Sequence, residues 1–311
     1  MSRLRKALRD YLAMRRGLGV KLERSGQWLE DFVSFMERRD ADHINSSLAL
    51  AWAQRPTTAQ PFHWALRLGA VRGFARFMCS FDPRTEVPPS DLLPYRYHRK
   101  PPHIYTDEEL RRILTGALQL WPPSSIRPRT YYTLFGLLIV TGLRSGEAIS
   151  LELRDVDLQQ CLLTVRGGKC GKDRLVPFHS STRDVLADYR QRRAHLLAGR
   201  REDNFFVTRK GTRLSKRGVY NTFERLTRKI GLRGAPSGRR PPRMHDFRHR
   251  LATMTLVRLY RSGKEPERYL PTLSTFLGHV KPSDTFWYLQ QHPELMKQAM
   301  RRLERRWQDT P

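Results

Sequence analysis

Six side chains, spread from position 144 to position 288 of a 311-residue sequence, are of types that together can act on a phosphate ester. They are Arg144, Lys169, His245, Arg248, His279 and Tyr288. Arginine binds anionic oxygens through two parallel hydrogen bonds, and histidine changes its charge near neutral pH. Lysine can donate a proton, and an ionised tyrosine is a nucleophile. The set indicates nucleophilic and acid–base chemistry at a phosphate that cations hold in place.

The segment TGLRSGE places Arg144 where a buried helix is predicted to end at Gly142 and a second helix to begin. We expect the side chain of Ser145 to cap that second helix. An arginine fixed between two packed helices is preorganised to bind an anion. A surface arginine beside a helix break is the alternative, and this segment taken alone favours it.

Lys169 lies in GGKCGK between two predicted strands, at a hairpin tip from which a side chain can reach a phosphate or a base edge. Lys172 lies three residues further on in the same turn. The segment is not a nucleotide-binding P-loop, since the spacing and the following helix are missing. A solvated turn lysine is the alternative.

Two histidine segments and a late aromatic run contain the other three groups. In HDFRH, His245 and Arg248 are three residues apart, so we expect them on one face of a helix. His279 ends the segment LGH, and Tyr288 lies in the run FWY, whose first two members, Phe286 and Trp287, we expect in the core. Each signal alone leaves an ordinary capping or core residue open as the alternative.

The charge of the chain predicts a polyanionic partner. The formal net charge is +28, from 58 Lys and Arg against 30 Asp and Glu, and arginine far outnumbers lysine. Nucleic acid is the leading candidate, because phosphate neutralisation supplies most non-specific affinity. Composition alone leaves a ribosomal or general RNA-binding protein open. It disfavours a membrane-surface protein, because no single amphipathic helix concentrates the charge.

The sequence also indicates the cellular setting. No apolar run is long enough for a transmembrane helix, and the N-terminus lacks the apolar region of a secretory signal. The three cysteines form no CxxC pair, which disfavours a disulfide framework and a zinc knuckle. We therefore expect a cytoplasmic protein associated with the nucleoid and not with a membrane.

Apolar periodicity predicts the elements that must position these groups. Four short helices are expected in the first eighty residues, followed by an extended, proline-rich linker. A capping box at Thr106 and Glu109 begins the next helix, and residues 130–142 predict a helix that is buried on all sides.

A hairpin and several helices are expected after that buried helix. Its strands lie near 162–165 and 175–178, and Ser180, Ser181 and Thr182 are the expected caps of a helix that extends to about residue 198. Residues 205–208 predict a short strand. Further helices are predicted over residues 215–230, 246–261, 270–278, 284–290 and 293–307.

In this order, the segments TGLRSGEAISL, VRGGKCGKDRLVPF, HDFRH and LGH and the late tyrosine resemble the sequence boxes of the tyrosine recombinase (phage integrase) family. The basic, helical N-terminal half resembles that family's core-binding domain, so the resemblance covers nearly the whole chain. The stretch LSTFLGHVKPSDTFWYL is similar to a subset carried by bacterial transposons and other mobile elements. Thirty residues separate Arg248 from His279, more than in many relatives. This longer spacing affects the predicted position of the helix between the two boxes, but not the assignment of the boxes.

The resemblance implies a mainly α fold with a small antiparallel sheet, arranged as a two-domain clamp on DNA. We expect a helical, SAM-like core-binding domain over residues 1–85 and a proline-rich linker over 86–102. The catalytic domain, with its C-terminal helix, is expected over 103–311.

The resemblance also implies the chemical roles. Tyr288 would attack a DNA phosphodiester to form a 3′-phosphotyrosine, while Arg144 and Arg248 would hold the non-bridging oxygens. Lys169 would protonate the leaving 5′-oxygen. Lys172 competes with it for this role, and we prefer Lys169 because it directly follows paired glycines.

His245 would assist proton movement or bind the phosphate. His279 would donate a hydrogen bond to the phosphate, and neither a metal nor another cofactor is implied.

The implied partner is double-stranded DNA. A homo- or hetero-tetramer, formed with or without sister recombinases, would hold two DNA sites. The helix over 293–307 would dock on a neighbouring protomer, and packing on its own domain is the alternative. Integration, excision and transposition of a mobile element are the reactions expected of such an enzyme. An accessory, non-catalytic DNA-binding protein and a strand-passing enzyme like a type IB topoisomerase remain the other two readings.

Overall fold

The computed structural model describes residues 2–94, 101–167, 173–233, 241–279, 281, 283–286 and 293–308. The chain divides into two compact units, Met1–Arg99 and Lys100–Pro311. The expectation of a mainly α fold with a small antiparallel sheet is confirmed. Among the described residues, no helix combines the length and the apolar character needed to cross a bilayer.

The first unit is a bundle of four helices around an aromatic core, as the apolar periodicity predicts. The helices are α1 (Arg3–Gly17), α2 (Glu23–Glu37), α3 (Ser46–Gln54) and α4 (Pro61–Met78). Phe32, Trp52 and Phe74 are fully buried at its centre. The indole of Trp52 donates a hydrogen bond to Asp31 at 2.9 Å, so that its polar atom is satisfied inside the bundle.

Besides a short 3-10 helix over Leu153–Asp155, the second unit contains nine α-helices among its described residues. They are α5 (Asp107–Leu118), α6 (Arg127–Thr141), α7 (Ser145–Ile149), α8 (Ser180–Leu197), α9 (Lys216–Lys229), α10 (His245–Arg261), α11 (Pro266–Leu277), α12 (Ser283–Phe286) and α13 (Pro293–Gln308). The predicted capping box begins α5, where Thr106 and Glu109 exchange hydrogen bonds. The predicted all-buried helix is α6, whose Leu134, Phe135 and Leu138 lie in the main core.

A three-stranded antiparallel sheet lies beside the helices, in the order β1 (Val156–Asp157), β2 (Leu162–Val165) and β3 (Arg174–Pro177). The predicted hairpin is confirmed in β2 and β3, where Val165 pairs with Arg174. The short strand β1 was not expected. Leu163 and Val176 point into the core, whereas Leu175 is exposed, as the alternation of a half-buried strand requires.

Three details differ from expectation. The N-cap of α8 is His179, whose ring accepts a hydrogen bond from the backbone of Ser181, so the expected cap by Ser180, Ser181 or Thr182 is wrong. Residues 205–208 do not form a strand and contribute only an isolated bridge at Val207. Their apolar side chains pack in the core, and their backbone does not pair in a continuous strand ladder. Helix α11 begins at Pro266, four residues before the predicted start, since proline fits the first turn of a helix.

The C-terminal helix α13 packs on α10 of its own chain. Leu295 is buried in the small cluster that α10 and α11 form, and Arg261 pairs with Glu294 at 3.1 Å. Met296 and Met300 remain exposed on the same helix. In this single chain the helix thus adopts the second of the two alternatives, packing on its own domain.

Gly142, which ends α6, packs closely against α10 and α11, and this contact can be tested. Its φ is +62°, and a Cβ there would lie 2.9 Å from Leu251 Cδ2 and 3.1 Å from Leu277 Cδ2. We expect Gly142→Ala to lower the free energy of unfolding by about 1–3 kcal/mol through overpacking, on top of the backbone strain. Gly199→Ala, at φ +87° with no atom within 4 Å, controls for that strain. Urea unfolding followed by tryptophan fluorescence measures both, and equal losses would contradict the packing explanation.

Candidate active site

Arg144 lies between α6 and α7, where the sequence predicts it. Its backbone is extended at the N-cap of α7, and its N–H donates to Glu147 Oε2 at 3.0 Å. Ser145 is therefore the first residue of the helix and not its cap. The reason is that a carboxylate three residues into a helix reaches back to the N-cap N–H.

The side chain of Arg144 is tied at two points. Its Nη1 donates to Glu147 Oε1 at 2.7 Å, and its Nη2 donates to the backbone oxygen of Gly278 at 3.0 Å. The side chain is 29% exposed, so it lies at the surface of the unit, where these hydrogen bonds hold it in place. These contacts favour the preorganised arginine over the ordinary surface arginine.

Glu147 binds a second arginine, Arg174 at the start of β3. Arg174 Nη2 and Nη1 lie 2.8 and 3.2 Å from the two carboxylate oxygens, and its Nε donates to the oxygen of Phe276 at 3.2 Å. Burial opposes ionisation of Glu147, but hydrogen bonds from Arg174 and Arg144 outweigh it and lower its pKa to about 2. At neutral pH the carboxylate is thus an anion between two guanidinium groups.

Sequence reasoning missed both Glu147 and Arg174. Glu147 had a usable signal, because it stands three residues after Arg144 in the same box. Arg174 had none, since only the fold brings β3 to the end of α11. The two residues nevertheless connect three elements around Arg144.

Helix α10 contributes the second predicted arginine. Arg248 is 1% exposed, and its Nη1 donates to the backbone oxygen of Gly142 at 3.0 Å. His245, the first residue of α10, is exposed. The spacing of three residues therefore does not give the pair equal exposure, because the helix begins at the surface and then enters the core.

His249 is a further histidine that the sequence analysis did not single out. Its ring centroid lies 4.9 Å from that of His245, and the residue is 8% exposed. Burial, together with the charges of His245, Arg243 and Arg248, lowers the pKa of His249 to about 3.

His279 follows Gly278, which ends α11 at φ +68°. Its Nδ1 lies 2.8 Å from the hydroxyl of Thr285, a buried residue of α12. Burial and the neighbouring Arg248 lower the pKa of His279 to about 4, so its ring is neutral at pH 7. When the Thr285 hydroxyl donates to Nδ1, the ring proton resides on Nε2, where it can be donated to a ligand.

Four of the six predicted residues thus share one region of the second unit. Arg248, Arg144 and His245 each act on the pKa of His279 through their charge. Lys169 and Tyr288, the other two, lie outside the described residues, as do Lys172 and Trp287. In the part of the chain that the structure describes, no group of three or more His, Cys, Asp or Glu is placed to hold a metal ion.

The aromatic run before Tyr288 is only partly described. The expectation that Phe286 is a core residue is wrong, since it is 48% exposed. Thr285 is 1% exposed, and successive residues of a helix point about 100° apart. The short helix α12 therefore turns its threonine, and not its phenylalanine, toward the site.

Comparison with known proteins adds independent findings. Residues 104–294 match the model of the phage integrase family. The chain is 53% identical over 313 residues to y4rB of Sinorhizobium fredii, which is named as an integrase/recombinase, with 99% of each chain covered. It is 30% identical over 232 residues to the tyrosine recombinase XerC of Chlamydia trachomatis, with 75% of this chain and 68% of the relative covered.

A solved structure shares the fold. The integrase of transposon Tn1549, in complex with transposon right end DNA, superposes with a TM-score of 0.66 at 17% identity. The match covers 96% of this chain and 98% of that one. At this identity the similarity supports the architecture.

The low pKa of His249 predicts acid sensitivity. The unfolded chain binds a proton at this residue below about pH 6.5, whereas the folded chain does so only near pH 3, so unfolding becomes easier as the pH falls through this window. In the wild type the free energy of unfolding should decrease between pH 7 and pH 5. We expect this decrease to be about 1–2 kcal/mol smaller in His249→Gln.

Urea unfolding at both pH values measures this difference. The variant His195→Gln, at an exposed position of α8, is the matched control and should keep the wild-type pH dependence. An unchanged pH dependence in His249→Gln would contradict the assignment.

Proposed function

We propose that this chain, which belongs to the phage integrase family of site-specific recombinases, cleaves and rejoins DNA through a 3′-phosphotyrosine at Tyr288. The family, and with it the recombinase class, follows from the match over residues 104–294 and from the relative at 53% identity. The covalent intermediate, the role of each residue and the reaction in the cell are the proposal.

One observation carries the proposal: Arg144, Arg248 and His279 meet at the ends of α6 and α11. Arg248 donates to the carbonyl of Gly142, and Arg144 donates to the carbonyl of Gly278, which directly precedes His279. Two guanidinium groups and a hydrogen-bond donor held in this way suit a phosphate with two non-bridging oxygens.

The proposed cleavage step conserves atoms and charge. The Tyr288 oxygen forms a bond to phosphorus, and the bond from phosphorus to the 5′-oxygen breaks. The phenol proton passes to His245 or to water, and the 5′-oxygen takes a proton from Lys169. Rejoining is the reverse, with the 5′-hydroxyl as nucleophile, and needs no external energy because the phosphoester is retained.

Arg144, Arg248 and His279 would stabilise the transition state of this step electrostatically. The negative charge on the equatorial oxygens grows as phosphorus becomes five-coordinate, and fixed cations stabilise that state without reorganising. His279, neutral at pH 7, would donate its Nε2 proton to the same oxygens. A phosphate beside the ring would raise the pKa of His279 and strengthen this hydrogen bond.

The proposed partner is double-stranded DNA in a tetramer that joins two sites. The net charge of +28 supports a nucleic-acid partner. In the proposal, residues 1–85 form the core-binding domain and residues 86–102 the linker. Residues 103–311 form the catalytic domain. The name of y4rB and the transposon DNA bound by the Tn1549 integrase support a reaction of a mobile element, by integration, excision or transposition.

The first test is a covalent adduct. DNA that the protein enriches from a random duplex library supplies the site, and a duplex nicked close to the scissile bond lets the released fragment diffuse away. We expect a protein–DNA adduct stable in detergent gels, with the DNA attached at Tyr288 by mass spectrometry. Tyr288→Phe should abolish it and leave binding of the duplex unchanged.

The two other readings give different results. Binding of the enriched duplex without any adduct would identify an accessory DNA-binding protein. An adduct on every duplex tested, together with relaxation of a plasmid that lacks the enriched sequence, would identify a topoisomerase. Either result overturns the proposed recombinase.

The second test separates Lys169 from Lys172. Replacing the bridging 5′-oxygen with sulfur creates a leaving group that needs no proton, so loss of the general acid should matter little there. We expect Lys169→Ala to slow cleavage of the ordinary duplex by about 10²–10⁴-fold and the sulfur-containing duplex far less. Lys172→Ala is the matched control, and a reversed pattern would assign the general acid to Lys172.

A further inference from the structure

We infer that Arg174 is a positioning residue for DNA cleavage, which holds Glu147 and the end of α11 so that Arg144 and His279 face the same phosphate. The inference rests on the proposed function and extends it to a residue that would not itself touch DNA.

Arg174 connects three elements through one planar group. Its two terminal nitrogens bind the carboxylate of Glu147 on α7, and its Nε donates to the oxygen of Phe276 on α11. Only 10% of the side chain of Arg174 and 9% of that of Glu147 are exposed, so water competes weakly for these contacts. The pair is therefore a fixed part of the site and not a surface ion pair.

The guanidinium also lies against the backbone of Gly278. A Cβ at that position would stand 2.7 Å from Cζ, 2.8 Å from Nη1 and 2.9 Å from Nε of Arg174. Such distances leave no room for a side chain. Gly278 is needed here both for its φ of +68° and for this close approach, and His279 is the next residue.

The strand ladder anchors Arg174. Its backbone pairs with Val165 at the first position of β3, within a hairpin whose Leu163 and Val176 are fully buried. The side chain therefore extends from a rigid support. Its contacts fix α11 and Glu147 relative to the sheet.

The effect on catalysis would pass through two hydrogen bonds of Arg144. One goes to Glu147, the residue that Arg174 holds, and the other goes to the Gly278 carbonyl, next to the peptide that Arg174 covers. Without Arg174, both acceptors could move, and Arg144 and His279 would lose their common orientation. A displacement of about 1 Å can reduce a catalysed rate by about 10²-fold.

Lysine cannot replace this arginine. Three hydrogen bonds leave Arg174 in one plane toward two elements, whereas an ammonium group is a compact charge without that fork. The charge of the site is kept in Arg174→Lys, so this variant separates geometry from electrostatics.

The test compares Arg174→Lys and Arg174→Gln with the wild type on the nicked duplex. We expect single-turnover cleavage to slow by about 10²-fold, with the Kd for the duplex changed less than threefold. The matched control is Arg193→Gln, which removes a buried arginine that donates to the Asn204 carbonyl at 3.0 Å and 2.8 Å. It should lower the Tm and keep the cleavage rate below that temperature.

A double-mutant cycle shows whether Arg174 acts through Glu147. We expect Arg174→Gln to cost far less in the Glu147→Gln background than in the wild type. Wild-type rates in both Arg174 variants, an increase in Kd that matches the rate loss, an equal rate loss in Arg193→Gln, or full additivity would each overturn the inference. A wild type that forms no adduct would instead overturn the proposed function, and this inference with it.

Discussion

The arrangement of the site depends on the carboxylate of Glu147 between two arginines. Arg144 and Arg174 carry like charges that would repel each other in a half-buried setting, and Arg248 adds a third positive group nearby. Glu147 is ionised because hydrogen bonds from both arginines outweigh the effect of its burial on the pKa. Removing one partner of such a buried group costs about 3–5 kcal/mol, because it leaves an uncompensated charge. One anion thus allows several cations to be assembled before any phosphate is present.

Helix ends provide the second part of that compensation. Both α6 and α11 end at a glycine in the left-handed region, and the carbonyl of each glycine accepts a hydrogen bond from a predicted phosphate-binding arginine. The last carbonyls of a helix carry partial negative charge and lack partners within the helix. The arginines satisfy those carbonyls and are in turn held in fixed directions. In the proposed reaction, a phosphate would therefore meet cations whose orientation is already determined by the fold.

Sequence reasoning predicted those parts of the molecule that local patterns determine. The helices follow from apolar periodicity, α6 from its all-round apolar composition, and the position of Arg144 from Gly142 and the box around it. It failed where tertiary contacts decide. Phe286 looked like a core residue because it is aromatic, but α12 turns Thr285 toward His279 instead. Arg174 gave no local signal at all, because its meaning arises only from the approach of β3 to α11.

The neutral state of His279 is a consequence of its burial and of that assembly of cations. Burial and the charges of Arg248 and Arg144 disfavour a further positive charge, so the imidazole remains uncharged and acts as a hydrogen-bond donor. A charged ring would add to the repulsion that Glu147 already has to balance. In the proposed reaction, a neutral donor oriented by Thr285 would instead hydrogen-bond the phosphate oxygens, and this bond would strengthen further as negative charge grows on them in the transition state. Because that bond would be stronger in the transition state than in the bound phosphodiester, it would contribute to catalysis and not only to binding.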